Sequence, residues 1–251
     1  MNGAPAPEPG ADPRTAELSE RLTAVRRRIA SASEAAGRGA DLPQLIVVTK
    51  FHPAADVARL ASLGVTDVGE NRDQEAAEKA AELSTLALRW HFIGQLQTNK
   101  AKSVVRYAAA VHSVDRPQLA TALAKAIAVE QGRTGRDDLD CFIQVNLADD
   151  ADDADGNRGG ALPVTVPELA AQLAAAPGLR LAGVMAVAPL GAPPEPAFEK
   201  LAGIAAALRA DFPQASGISA GMSQDLEAAI RHGATHLRIG SDILGPRPAV
   251  R

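Results

Sequence analysis

One lysine stands where an apolar run ends, and its position favours chemistry that needs an unprotonated amine. Lys50 follows residues 45–49 (LIVVT), a run typical of a buried strand. Desolvation lowers the pKa of a lysine, and a neutral amine can form an imine with an aldehyde. A lysine at a strand end can also extend its ammonium group into solvent. On position alone, both interpretations of Lys50 stay open.

Two turns that contain glycine and serine have the composition of an anion site. Ser223 follows Gly221 and Met222, and Ser241 follows Gly240. Glycines let backbone N–H groups approach an anion, and we expect Ser223 to begin a helix, whose dipole favours negative charge there. The same residues could serve only as an N-cap and a bend. Two such turns, each after an apolar run, predict a phosphate group on the ligand.

Arg238 precedes Gly240 by two residues, so both lie on one face of a strand. Arginine stays charged and only donates hydrogen bonds, so it would keep a facing pyridine nitrogen unprotonated. Together with Lys50 and a phosphate site, this fits pyridoxal 5′-phosphate (PLP) held as an imine. A phosphorylated sugar in a Schiff-base aldolase also fits, with Glu70 or Asp115 as proton shuttle. Arg238 could equally pair with a carboxylate.

Short apolar runs alternate with amphipathic, alanine-rich segments along the chain. We predict strands at 45–49, 65–69, 89–94, 109–114, 141–146, 181–187, 216–221 and 236–240. We predict helices at 54–63, 72–84, 98–107, 116–131, 166–176, 194–210 and 223–232. Such alternation implies parallel strands with crossover helices. Eight units in 251 residues predict an α/β fold, a single (β/α)8 TIM barrel, whose site lies at the C-terminal ends of the strands. A doubly wound sheet is less favoured because no G-x-G-x-x-G follows the first strand.

Two segments depart from this alternation. Residues 1–14 contain four prolines and predict a disordered, Pro/Ala-rich lead-in, followed by a barrel domain at 15–251 that starts with an extra helix from Thr15 to Ala36. This helix could pack on the barrel or on a partner. Residues 149–160 include five aspartates. Their spacing does not match a calcium-binding loop, so we expect a solvated loop.

The composition excludes several classes of protein. Lys and Arg number 26 against 30 Asp and Glu, and aromatic residues are 3%, which argues against a nucleic-acid binder. The single cysteine, Cys141, excludes a disulfide scaffold and a multi-cysteine metal site. No apolar run reaches the roughly 18 residues of a membrane span, and no signal peptide is evident. We therefore expect a soluble, cytoplasmic monomer or weak homodimer without a metal.

Several short motifs, in their order along the chain, resemble one known family. They are VVTK (47–50), VGEN (68–71), WHFIGQLQTNK (90–100), HSVD (112–115), QVN (144–146), GVMAVAP (183–189) and the segment 219–247. This pattern resembles the pyridoxal-phosphate homeostasis proteins, the YggS-like group, over residues 45–247. Three features depart from it. Residues 219–223 are SAGMS, where SMGMS or a close variant is frequent. Arg72 and Asp73 stand where an aromatic residue often follows GEN, and an acidic insertion stands where a Lys-x-Gly usually follows QVN.

The resemblance implies a barrel similar to the N-terminal domain of alanine racemase, with PLP bound as an aldimine. It also implies a role in vitamin B6 homeostasis without catalytic turnover, with PLP-dependent apo-enzymes as candidate recipients. The residues it implies for cofactor binding are Lys50 for the imine, Arg238 for the pyridine nitrogen, Ser223, Gly240 and Ser241 for the phosphate, and Asn71 and Met222 for the lining.

A PLP-dependent amino-acid racemase remains the alternative within this resemblance. Racemisation needs a second acid–base group on the opposite face of the substrate, usually a tyrosine from a partner domain. The single tyrosine of this chain, Tyr107, falls within a predicted helix.

Overall fold

The computed structural model describes residues 12–148, 159–189 and 191–246. Within these ranges, eight parallel strands close into a barrel in chain order, and the last strand pairs with the first. The predicted (β/α)8 barrel is therefore confirmed. The strands are β1 Gln44–Val48, β2 Asp67–Glu70, β3 Arg89–Phe92, β4 Ala108–Val114, β5 Leu139–Gln144, β6 Leu179–Met185, β7 Gly217–Ser219 and β8 His236–Ile239.

Helices follow the strands as the alternation predicts, and most differ from the predicted bounds by one to three residues. No helix within the described ranges is long and apolar enough to cross a membrane. The helices are α1 Pro13–Ala35, α2 Ala54–Ser62, α3 Asp73–Glu82, α4 Ala101–Val104, α5 Pro117–Thr134, α6 Val166–Ala175, α7 Glu195–Asp211, α8 Leu226–Arg231 and α9 Ser241–Leu244, with 3₁₀ turns at Thr98–Lys100 and Pro163–Thr165.

The N-terminal helix α1 completes the outer layer of the barrel. It begins at Pro13, two residues earlier than predicted, because Asp12 caps it by accepting a hydrogen bond from the N–H of Arg14. Helix α9 has only four residues, and α1 packs against it and against α8 and α2. The extra helix therefore takes the place of a full eighth helix. Its buried stripe is Leu18, Leu22, Val25 and Ile29.

The interior of the barrel is partly polar, whereas the layer between strands and helices is apolar. A small apolar cluster of Ala110, Phe142 and Met185 is separate from the main core. A hydrogen bond between His112 and Ser219 joins β4 to β7 at 2.9 Å. Since these strands are not neighbours in the barrel, the bond must cross its interior.

The predicted acidic loop after β5 falls mainly on residues 149–158, which lie outside the described residues. On its C-terminal side, Ala161 forms a parallel bridge with Val145. The N–H of Ala161 donates to the carbonyl of Gln144 at 2.7 Å.

Candidate functional site

A cavity of about 480 Å³ opens where β1, β7 and β8 end. Its size is within the usual range for a small-molecule site, and its position is the one expected for a barrel of this kind. Six of the seven predicted site residues line it, and the exception is Asn71. The six are Lys50, Met222, Ser223, Arg238, Gly240 and Ser241.

Two serine hydroxyls meet at the wall of this cavity. The Oγ atoms of Ser223 and Ser241 lie 3.3 Å apart. Gly240 precedes the first turn of α9, where backbone N–H groups have no partner within the helix. A Cβ on Gly240 would lie 3.2 Å from the carbonyl oxygen of Val48, so little space exists for a side chain there. We name Ser223, Gly240 and Ser241 the phosphate cradle, because they are the residues predicted to bind a phosphate group, and hydroxyls and backbone N–H groups suit an anion.

The expectation that Ser223 begins a helix is wrong. Helix α8 begins three residues later, at Leu226. The carboxylate of Asp225 accepts a hydrogen bond from the N–H of Met222 at 2.6 Å, and this closes a turn over residues 222–225 instead. The helix start next to the cradle is therefore that of the short α9 and not that of α8.

Helix α1 holds the two halves of the phosphate cradle together through Arg28. The Nη1 atom of Arg28 donates to the carbonyl oxygen of Ser223 at 2.7 Å and to Asp242 at 3.0 Å. The same guanidinium forms a bidentate ion pair with Glu227 in α8. One arginine therefore bridges the loops after β7 and β8. The helix that sequence reasoning left without a role contributes to the site.

The backbone on either side of Lys50 is held by two charged groups of α3, the buried Lys79 and the half-buried Glu75. Phe51 has a φ of 70°, a left-handed conformation that is rare for a residue other than glycine. Its N–H donates to Glu75 at 2.7 Å. The carbonyl of Thr49 accepts from the Nζ of Lys79 at 2.9 Å. Lys50 itself is partly exposed, with its Nζ 6.0 Å from the ring centre of Phe51.

Lys79 is the centre of this network. Its Nζ donates to Glu70 at 2.7 Å and to Glu75 at 2.6 Å, and Glu70 also accepts from the Thr49 hydroxyl. Glu70 and Lys79 are buried, at 1% and 6% exposed. Burial raises the pKa of Glu70, and the Lys79 ammonium opposes that shift. Removal of Lys79 or of Glu70 would leave the other as an unpaired buried charge, which is costly. The network therefore holds the backbone of the residues on either side of Lys50 in place.

Arg238 is buried behind the cavity, although it carries a charge. Its Nη1 donates to the Ser219 hydroxyl at 2.7 Å, and its Nη2 donates to the carbonyl of Ala186 at 2.9 Å. Burial lowers its pKa to about 10, so the guanidinium remains charged at neutral pH. No carboxylate of the described residues lies within ion-pair distance of it, and the charge of Asp225 favours its charged form from farther away. The remaining N–H groups can serve a ligand.

Asn71 follows β2 outside the lining of the cavity. Its amide oxygen is buried and has no hydrogen-bond partner within the described ranges. An unsatisfied buried acceptor costs roughly 1–3 kcal/mol, so this atom is a candidate to accept a hydrogen bond from a ligand. Its role in binding stays a prediction.

The residues proposed for the alternative reactions lie away from the cavity. Glu70 is bound by Lys79, and Asp115 forms an ion pair with Arg116. Tyr107 lies in the turn before β4, not in a helix, and its hydroxyl donates to Asp73 at 3.4 Å. Burial raises the pKa of this hydroxyl. None of Glu70, Asp115 and Tyr107 lines the cavity.

Sequence reasoning missed several residues of the site. Phe51 and His52 line the cavity directly after Lys50. The sequence could have predicted the ion pair of Lys79, because this residue stands four positions after Glu75 on a predicted helix. The sequence gives no indication of the role of Arg28, because its partners are about two hundred residues away in the chain.

The fold and the sequence define a class. Residues 21–248 match the family model described as "Alanine racemase, N-terminal domain", so this is a barrel protein of that type. An alanine racemase structure from Corynebacterium glutamicum shares the fold at a TM-score of 0.66 and 14% identity, covering 94% of this chain and 62% of the racemase.

Proteins with higher sequence identity to this chain identify its family. A pyridoxal phosphate homeostasis protein from Mycobacterium bovis is 44% identical over 249 residues, which covers 93% of this chain and 94% of the relative. The structure of PipY from Synechococcus elongatus, solved with PLP bound, matches at a TM-score of 0.74 and 32% identity, covering 91% of this chain and all of PipY. The chain belongs to the pyridoxal phosphate homeostasis protein family, as the sequence motifs predict.

Proposed function

We propose that this protein binds PLP through Lys50 and acts in vitamin B6 homeostasis, without catalytic turnover of its own. The observation that carries the proposal is the convergence of three chemical groups in one cavity. An amine at Lys50, the phosphate cradle and the buried cation of Arg238 all border the same space. The names and the PLP-bound structure of related proteins support the same cofactor.

Each group has a distinct task in this proposal. PLP supplies an aldehyde that reacts with amines and a ring that withdraws electrons. Lys50 would hold the aldehyde end covalently, and the hydroxyls of Ser223 and Ser241 would bind the phosphate. Arg238 would donate a hydrogen bond to the ring nitrogen and keep it unprotonated. Since an unprotonated ring withdraws electrons less strongly, Arg238 would make the cofactor a weaker electron sink than a carboxylate partner would.

The racemase alternative needs a second acid–base group, usually a tyrosine, and within the described residues no tyrosine lines the cavity. The only tyrosine of the chain is Tyr107, whose hydroxyl is held by Asp73. The aldolase alternative lacks the shuttle assigned to it, because Glu70 and Asp115 are held by neighbouring cations. Assays for racemase, transaminase and aldolase activity test both alternatives. Turnover by the loaded protein that is lost in Lys50→Ala would overturn the proposal of a non-catalytic role.

A binding experiment tests whether PLP is the ligand of this cavity. We expect titration with PLP to saturate one site per chain, and pyridoxal without the phosphate to bind more weakly. A phosphorylated sugar aldehyde that binds and reacts at Lys50 more tightly than PLP would favour the aldolase instead.

We also propose that the protein passes its cofactor to PLP-dependent apo-enzymes as a monomer or weak homodimer. The test mixes loaded protein with such an apo-enzyme and a phosphatase that destroys free PLP. Reactivation in the presence of the phosphatase supports direct transfer, and its loss shows release into solution first. Sedimentation velocity gives the oligomeric state.

A further inference from the structure

A chain of hydrogen bonds crosses the barrel behind Arg238. Arg238 donates to the Oγ of Ser219 at 2.7 Å, and this Oγ lies 2.9 Å from Nδ1 of His112. Nε2 of His112 lies 2.9 Å from Nδ1 of His91, and Nε2 of His91 lies 2.9 Å from Oδ1 of Asp67. We name Ser219, His112, His91 and Asp67 the relay. It leads from the cavity to the N-terminal end of the barrel, where Asp67 begins β2.

The two ends of the relay determine the direction of every hydrogen bond in it. A guanidinium only donates, and an ionised carboxylate only accepts. Ser219 therefore accepts from Arg238 and donates its own proton to Nδ1 of His112. His112 then donates from Nε2 to His91, and His91 donates from Nε2 to Asp67. In this arrangement both rings are neutral with the proton on Nε2, and each donates one hydrogen bond and accepts another.

The opposite direction is less favourable. It requires a doubly protonated His91, with both rings donating toward Ser219. The Ser219 hydroxyl would then accept two hydrogen bonds, and its own hydrogen would have no acceptor, because Arg238 and His112 are the only hydrogen-bond partners of this Oγ in the described ranges. A second cation would also stand near Arg238 in a dry interior. Burial lowers the pKa of His112 well below its ordinary value, which agrees with a neutral ring.

We propose that the relay positions Arg238, holding its guanidinium in one orientation as a donor toward the ring nitrogen of the cofactor. This inference rests on the proposed function, because it concerns the same cavity. The relay acts on the ring end of the ligand, whereas the phosphate cradle is held from the outside of the barrel by Arg28. Loss of the relay therefore weakens binding of PLP and leaves binding of inorganic phosphate unchanged.

The direction of the relay is testable without the cofactor. Long-range ¹⁵N–¹H spectra of the protein without added PLP distinguish the two neutral tautomers of histidine from the charged ring. We expect His91 and His112 to carry their proton on Nε2 at neutral pH. A proton on Nδ1 of either neutral ring, or a doubly protonated ring, overturns the relay whatever the protein binds.

Substitution at the far end of the relay tests its effect on the site. Asp67→Ala removes the terminal acceptor, whereas Asp67→Asn keeps an oxygen that can accept from His91. We expect Asp67→Ala to lower the affinity for PLP about 10-fold, the equivalent of one hydrogen bond to a charged group. Asp67→Asn should stay within about 2-fold of the wild type. Affinity for inorganic phosphate should stay within about 2-fold of the wild type in both.

A control variant and a second variant that interrupts the relay distinguish a loss of Arg238 positioning from general destabilisation of the protein. Glu130→Ala also removes a buried carboxylate, but Glu130 pairs with Arg133 in α5, apart from the relay. This variant should bind PLP like the wild type. His112→Phe breaks the relay at its centre and should match Asp67→Ala in the affinity for PLP.

Three results of the binding measurements would also overturn the inference, and each leads to a different conclusion. Wild-type affinity for PLP in Asp67→Ala and His112→Phe shows that the relay does not act on the site. An equal loss in Glu130→Ala attributes the effect to general destabilisation. Protein that has the expected tautomers but binds no PLP overturns the proposed function, and with it the role of the relay in ring binding.

Discussion

The Nζ atom of Lys79 lies 2.9 Å from the carbonyl oxygen of Thr49, the residue before Lys50. The same ammonium binds Glu75, which accepts a hydrogen bond from the N–H of Phe51, the residue after Lys50. One buried cation therefore holds the backbone on both sides of the lysine that we propose as the cofactor anchor. The unusual backbone conformation of Phe51 persists because these bonds stabilise it.

Removal of the Lys79 ammonium should destabilise the protein strongly. Lys79→Met leaves Glu70 and Glu75 without their cation, so we expect a loss of about 3–5 kcal/mol in the free energy of unfolding. Urea unfolding measures it. Lys125→Met, a substitution of an exposed lysine in α5, is the control and should cost less than about 0.5 kcal/mol. Equal stability of the two variants would contradict the assigned role of Lys79.

A conservative change at Arg28 should weaken the phosphate cradle. Arg28→Lys keeps a positive charge, but lysine cannot reproduce the fork of donors that bridges Ser223, Asp242 and Glu227. We expect the affinity for PLP to fall about 5- to 10-fold, as measured by titration. Arg27→Lys, at the exposed neighbouring position, should have no effect. An unchanged affinity in Arg28→Lys would show that α1 only packs on the barrel.

The two serine hydroxyls should matter only for ligands that carry a phosphate. In the double variant Ser223→Ala and Ser241→Ala, we expect the affinity for PLP to fall at least about 10-fold. Binding of pyridoxal, which lacks the phosphate, should stay within about 2-fold. Ser62→Ala, an exposed serine of α2, is the control. A parallel loss for pyridoxal and PLP would place the phosphate elsewhere.

Burial of His236 should make the protein less stable in acid. Burial lowers its pKa from the ordinary 6.5 to about 4. Between these values the unfolded chain binds a proton that the folded protein does not, so the stability present above pH 6.5 is lost as the pH falls toward 4. The loss is about 1.4 kcal/mol per pH unit, or roughly 3 kcal/mol in total.

The test compares the free energy of unfolding of the wild type and His236→Phe across this pH range. The variant should lose stability less steeply. Some slope should remain, since burial also lowers the pKa of His112. Parallel curves would show that His236 is protonated in the folded state at this pH.

Sequence patterns predict the barrel well because each of its strands and helices is formed by one continuous stretch of the chain with its own pattern of apolar residues. Continuous apolar runs mark strands that are covered on both faces, and their ends identify Lys50, Arg238 and the two serine turns. Even β7, which has only three residues, falls within the predicted run. The helix predicted at Ser223 fails because the side chain of Asp225 closes a turn first, a local competition that amphipathic periodicity does not detect.

Contacts between distant parts of the chain were not predictable from spacing. His91 and His112 each fall in a predicted strand, but their meeting inside the barrel depends on strand register. The hydrogen bond between His112 and Ser219 spans 107 positions. The support that Arg28 gives to the cradle depends on how α1 packs, which its apolar stripe alone does not determine.

The central claim is that Lys50 anchors the cofactor, and one measurement tests it most directly. Purified wild-type protein and Lys50→Ala are mixed with PLP, their absorption spectra are recorded, and both are reduced with borohydride before peptide mapping. We predict a visible band and a single reduced adduct at Lys50 in the wild type, both absent from Lys50→Ala. A band that persists in Lys50→Ala, or an adduct spread over surface lysines, would contradict the account.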